Sequence, residues 1–238
     1  MNIRNDGSKP MDNEYEIVWQ DLKITLDDIA ESVGYPRNET PVRIAEAIGK
    51  LWVEYCSLIQ PQAVVKYFSA QISGDELICA DARFLVGKKI AAQVTGLQEA
   101  ALFVCTIGEQ LEREASRLTE CGELMQGYVL DSIGSLAAER LAEWLQNQIE
   151  AAVQSAGKTI STRFSPGYCD WPVSAQLELF TLLGGAPCNV VLSSSAMMRP
   201  LKSISGFIGI GDNMVKGYAC NSCEQQVKCL YRNRKDKK

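Results

Sequence analysis

The sequence predicts an α+β fold: a mainly antiparallel sheet flanked by helices, with a helical segment at the N-terminus. Three observations carry this. Apolar runs of strand length and amphipathic runs of helix length are mixed, without the regular alternation of a parallel sheet. Residues 100–106 are apolar and bounded by Gly96 and Gly108, as a buried strand requires. Residues 124–154 form the longest helical pattern, with Ile133, Leu136, Leu141, Trp144, Leu145 and Ile149 in one wide apolar stripe.

Residues 1–16 are polar and read as a flexible arm without an apolar signal core. Residues 17–70 read as the N-terminal helical segment. Leu26, Ile29 and Val33, then Ile44, Ile48, Leu51, Tyr55 and Leu58, recur near period 3.6, and the helical pattern runs on to about residue 71. Gly34-Tyr35-Pro36 breaks it, and Thr40-Pro41 starts the next helix. Residues 71–212 form the α+β core. Within it, 77–79 and 83–86 read as short strands around a turn, and 88–94 as a short helix. Residues 109–118 read as a helix with acidic residues in its first turn, as the helix dipole favours. Gly127 and Gly134 weaken the long helix by about 1 kcal/mol each against alanine, and close packing would account for them. Residues 158–168 read as a strand leading into a turn. Residues 173–183 read as a helix closed by Gly184-Gly185. Residues 190–198 and 203–210 read as strands, and 213–238 as a cysteine-bearing, finally basic tail.

Composition excludes several functions. The net charge of −5 gives no basic excess for nucleic acid. No apolar run reaches the roughly 18 residues a membrane span needs. Nine cysteines without a signal sequence point to a reducing cytoplasm, and their odd number rules out complete intrachain pairing. There is no histidine, which removes Ser-His and Cys-His catalysis and histidine-bearing zinc sites.

The stretch Arg163-Phe164-Ser165-Pro166-Gly167-Tyr168 combines a fixed cation, a rigid turn and an aromatic ring. Arg163 offers a planar fork for a carboxylate. Gly167 lets a ligand approach the backbone. Tyr168 offers a ring face to a cation. A ligand with both a carboxylate and a cationic centre matches this set, and S-adenosylmethionine is one. The same residues also suit a plain type I or II turn, with Arg163 exposed and Tyr168 packed.

Arg163 to Tyr168 is followed by Pro172, an amphipathic helix at 173–183, a strand with Leu192, Met198 and Pro200, and then Ser203-Ile204-Ser205-Gly206. In this order the segments resemble the activation domain of cobalamin-dependent methionine synthase, and more closely its stand-alone homologues in anaerobic microbes. Residues 102–108 and 131–143 also resemble the family. The likeness covers residues 70–212 well and the N-terminal helices poorly.

The resemblance implies an activation-domain fold and a role in rescuing oxidised cobalamin. That rescue takes one electron and a methyl group from S-adenosylmethionine. Arg163 and Tyr168 fall on family positions that hold this ligand. Ser165 falls where the family lends its backbone, and Glu143 on a position near the ligand's amino group. The implied partner is a corrinoid protein or methionine synthase modules acting in trans, with cobalamin carried by the partner. An electron donor such as flavodoxin or ferredoxin would complete the system. The residues Cys169-Asp170-Trp171-Pro172 depart from methionine synthase, which keeps open a non-catalytic binding cap or sensor.

Cys220, Cys223 and Cys229 are a second constellation. Two cysteines separated by two residues, with a third nearby, suit an iron–sulfur cluster or zinc. A redox dithiol and ordinary reduced thiols are the other readings. The fourth ligand would come from Cys169, Cys188, a partner chain or water. Methionine synthase lacks this trio, so the resemblance does not bear on it.

Overall fold

The computed structural model describes residues 12–216. Its centre is an antiparallel sheet of β1 (Asn13–Glu16), β2 (Gln62–Ser73), β3 (Glu76–Cys79), β4 (Ala82–Leu85), β5 (Glu99–Thr106), β6 (Thr159–Phe164) and a final strand after a small two-stranded ribbon. The ribbon is β7 (Val191–Leu192) and β8 (Met198–Arg199), and the final strand is β9 (Ser203–Gly211). The order is β4-β3-β2-β5-β9-β6, with β1 also paired to β2. The helices are α1 (Leu26–Ser32), α2 (Val42–Tyr55), α3 (Gly87–Gln93), α4 (Gln110–Glu120), α5 (Leu124–Gln154) and α6 (Gln176–Leu183).

β5 is buried along its whole length because both sheet faces are covered. Ala101, Phe103 and Cys105 face α1, α2 and α5, together with Ala63, Val65, Ile208 and Ile210. The alternate residues Ala100, Leu102 and Val104 face α3 and α6, together with Val64, Phe164 and Phe207. The period-2 alternation of the strand therefore feeds two apolar clusters, and the sheet is the middle of three layers.

α5 runs about 46 Å at 1.5 Å per residue. A Cβ at Gly127 would lie 2.3 Å from Thr119 Oγ1 and 2.9 Å from the Ala115 carbonyl, so α4 and α5 touch at backbone range. This accounts for one of the two helix glycines. α1 is anchored by a capping box between Thr25 and Asp28. The buried Asp28 carboxylate also accepts from Arg37 at 3.2 Å and from Arg140 of α5 at 2.9 Å. The N-terminal helices are thus tied to the long helix by charge as well as packing.

The structure differs from the sequence reading in three places. The helical pattern read over residues 26–71 ends at Leu58, where α2 closes in a 3-10 turn, and Gln62–Ser73 is a long strand. Its Val64-Val65 pair is buried on opposite faces, so the polar–apolar alternation that marks a half-exposed strand is missing. Residues 13–16, read as part of a flexible arm, pair with β2. Residues 190–198, read as one strand, form the β7–β8 ribbon around a turn. There Ser193 N–H donates to the Met197 carbonyl at 2.9 Å, and Ala196 takes a φ of +59°. Among the described residues no helix is long and apolar enough to cross a membrane.

Candidate functional site

The motif lies where β6 leaves the sheet. Tyr168 N–H donates to the Ser165 carbonyl at 3.2 Å, and Gly167 between them has a φ of +96°. With Pro166 before it, this is a type II turn, which demands glycine at that corner. The chain then folds back. Gly167 N–H donates to the Trp171 carbonyl at 2.8 Å, and Trp171 N–H donates to the Tyr168 carbonyl at 3.1 Å. The Trp171 ring is fully buried and stands edge-on to Phe84 and Phe207, with centroids 6.0 and 5.5 Å away.

Arg163 points to the α5 side of the sheet. Its Nη2 donates to Glu139 Oε2 at 3.1 Å. Its Nη1 is buried with no hydrogen-bond partner among the described residues. An unpaired buried donor costs about 1–3 kcal/mol, so a ligand acceptor there would be favoured. The Arg163 side chain is 20% exposed and Tyr168 is 54% exposed. A plain turn would have the reverse, an exposed arginine and a packed tyrosine.

Ser165 completes the turn with its carbonyl, and its side chain lies behind Gly206. A Cβ at Gly206 would fall 2.0 Å from the Phe164 carbonyl and 3.2 Å from Ser165 Oγ. Glycine is therefore what lets β9 pass the end of β6 in Ser203-Ile204-Ser205-Gly206. The next serine anchors the surroundings. Ser205 Oγ donates to Gln176 Oε1 at 2.8 Å, and Gln176 Nε2 donates to the Ala196 carbonyl at 2.8 Å. This buried chain fixes α6 and the β7–β8 turn to the sheet beside the motif.

Glu143 lies on α5 and pairs with Arg140 at 3.2 Å. Glu139, one helical turn earlier, is the acid that meets Arg163. Glu139 lies outside the motif and is not among the residues expected from the sequence. Its signal was present in the i, i+4 spacing to Glu143, which puts both on one side of the helix. Cys105 lies under the same region. Burial pushes its thiol up to about 12, against the nearby Arg163 charge that lowers it.

Cys220, Cys223 and Cys229 lie outside the described residues. Of the cysteines considered as a fourth ligand, Cys169 is exposed, with a φ of +52°, while Cys188 is buried and its thiol is pushed up to about 12 by burial. Among the described residues no group of three or more Cys, Asp or Glu could hold a metal ion.

The family model described as vitamin B12 dependent methionine synthase, activation domain, matches residues 86–236, more than half of the chain. The chain belongs to this family. The match takes in β5, α5, the motif turn and β9. A crystal structure of the MetH reactivation domain bound to AdoHcy is similar in fold, with a TM-score of 0.64 and 18% identity, over 99% of this chain and 91% of that one. The fold of the activation domain thus extends here through the N-terminal helices, which lie before the family match. No curated protein matches.

Proposed function

We propose that this activation domain binds S-adenosylmethionine at the Arg163–Tyr168 turn and supports reductive methylation of the cobalamin of a corrinoid protein or methionine synthase. The observation that carries the reading is the Arg163–Glu139 pair, with a buried guanidinium nitrogen that has no partner among the described residues, on the strand that leads into the turn of the exposed Tyr168.

An amino-acid ligand presents a carboxylate and an ammonium on one carbon. Arg163 would take the carboxylate through Nη1. Glu139 offers a carboxylate to the ammonium, and Glu143 a second one a turn along α5. Ser165 would lend its backbone to the ligand. The Tyr168 ring would face the sulfonium. A reactivation domain of the same fold is bound to AdoHcy, which supports a ligand of this class. The partner's cobalamin supplies the nucleophile for methyl transfer. This chain supplies position and a site that needs no general base, in keeping with its lack of histidine. A flavodoxin or ferredoxin type of donor would provide the electron. We further propose Cys220, Cys223 and Cys229 as ligands of zinc or an iron–sulfur cluster, on the strength of their spacing. Metal analysis of anaerobically prepared protein tests this.

The test of the main reading is anaerobic calorimetric titration of S-adenosylmethionine into wild type and Arg163→Ala, with a pull-down of corrinoid proteins. Binding that the substitution abolishes, with partner association intact, is expected. A wild type that neither binds the ligand nor associates with a corrinoid protein overturns it.

A further inference from the structure

We propose that Trp171, seated against Phe84 and clamped by a close contact between Gly87 and Asp170, is the positioning residue that holds the motif turn in its ligand-ready shape. The ligand part of this inference rests on the function proposed above.

Residues 165–171 leave the sheet after β6, and Pro166 to Asp170 have no strand neighbour. The turn's own ring of hydrogen bonds closes on Trp171, which accepts from Gly167 and donates to Tyr168. Those bonds tie the turn to the backbone of Trp171. The indole connects the ring to the core. It contacts Phe207 of β9 and Phe84 of β4, both fully buried. Its Nε1 has no hydrogen-bond partner among the described residues, so the ring acts by shape and apolar contact rather than by polarity.

The second contact comes from outside the motif. Gly87 opens α3 with a φ of +81°, and its N–H donates to the Asp75 carbonyl at 3.0 Å. A Cβ there would stand 2.5 Å from Asp170 Cβ. Glycine at 87 therefore lets the segment after Tyr168 lie directly on the β3–β4–α3 unit. That unit touches the turn from the face opposite α5, so it braces Tyr168 without entering the ligand site. The departure at Cys169-Asp170-Trp171-Pro172 becomes intelligible: Asp170 and Trp171 are the two points at which the turn is held.

Three variants test the proposal: Gly87→Ala, Trp171→Phe and Trp171→Ala. Hydrogen exchange reads the Gly167 and Trp171 amides without any ligand. Gly87→Ala is expected to lower their protection by about tenfold or more while core amides in β5 keep theirs. Trp171→Phe keeps the ring contacts and is expected to retain protection, which a polar role for the indole would not allow. Titration of S-adenosylmethionine is expected to show about tenfold weaker binding in Gly87→Ala and near wild-type binding in Trp171→Phe. Unchanged amide protection in Gly87→Ala overturns the proposal, as does equal binding by Gly87→Ala and wild type. If wild type binds no S-adenosylmethionine, the ligand part of the proposed function fails and the exchange data alone decide the brace. If Trp171→Ala does not fold, the other two variants still decide.

Discussion

Arg163 of β6 and Glu139 of α5 meet at 3.1 Å through guanidinium Nη2, while Nη1 is buried and unpaired among the described residues. The pair joins a sheet edge to the long helix and keeps opposite charges side by side. Under the proposed function it would be half of a recognition element, with Nη1 of the arginine turned to a second acid.

Arg163→Ala should weaken S-adenosylmethionine binding by about 10- to 100-fold, the range of a charge-assisted hydrogen bond. Arg163→Lys should rescue little, because lysine lacks the planar fork. Isothermal calorimetry measures both.

Glu139→Gln removes the charge beside Arg163 and should weaken the ligand by about tenfold. Glu143→Gln should cost less, since Glu143 is already paired with Arg140. A larger loss at Glu143 would move the ammonium contact one turn along α5.

Cysteine alkylation at mildly alkaline pH should separate two groups. Cys79, Cys105 and Cys188 are buried, with thiols pushed up to about 12, and should stay unmodified in the folded protein. Cys169 and Cys121 are exposed and should react. Added S-adenosylmethionine should slow Cys169, next to Tyr168, and leave Cys121 unchanged. Peptide mapping by mass spectrometry reads each site.

Asp28→Asn should destabilise the fold by about 1–2 kcal/mol near neutral pH through loss of the cap and its arginine contacts. Burial raises the Asp28 pKa, but hydrogen bonds from Thr25 and the charges of Arg140 and Arg37 outweigh it, and the folded value lies below the ordinary one. The stabilisation is therefore present above the unfolded pKa of about 4 and is lost as pH falls through the lower folded value. Urea unfolding across this acid range should show wild type and variant converging.

Gly206→Ala should be worse than a typical surface change, by about 3 kcal/mol or more, because its Cβ would meet the Phe164 carbonyl. Thermal unfolding followed by circular dichroism checks this.

Most of the fold was legible where one periodicity ruled. The α5 stripe and the buried run of β5 match the elements found there. β2 was hidden because both its faces are covered, so its pattern loses the alternation that identifies a strand. At the site, the Pro166-Gly167 corner announced its own geometry. Glu139 and Gly87 did not, because their partners are distant in sequence: 24 residues for Glu139 and Arg163, and farther still for Gly87 and Asp170. Such contacts follow from how elements cross, and local spacing does not record them.

Among the described residues the strand that carries Arg163 has a single neighbour in the sheet, β9, and that neighbour comes later in the chain. During synthesis β6 would emerge from the ribosome with nothing to pair with. β5 would likewise wait for β9 on one side. The motif turn is therefore among the last parts of the protein to take shape, and nascent chains that stop before residue 211 would carry every residue from Arg163 to Tyr168 yet lack the complete strand that β6 pairs with.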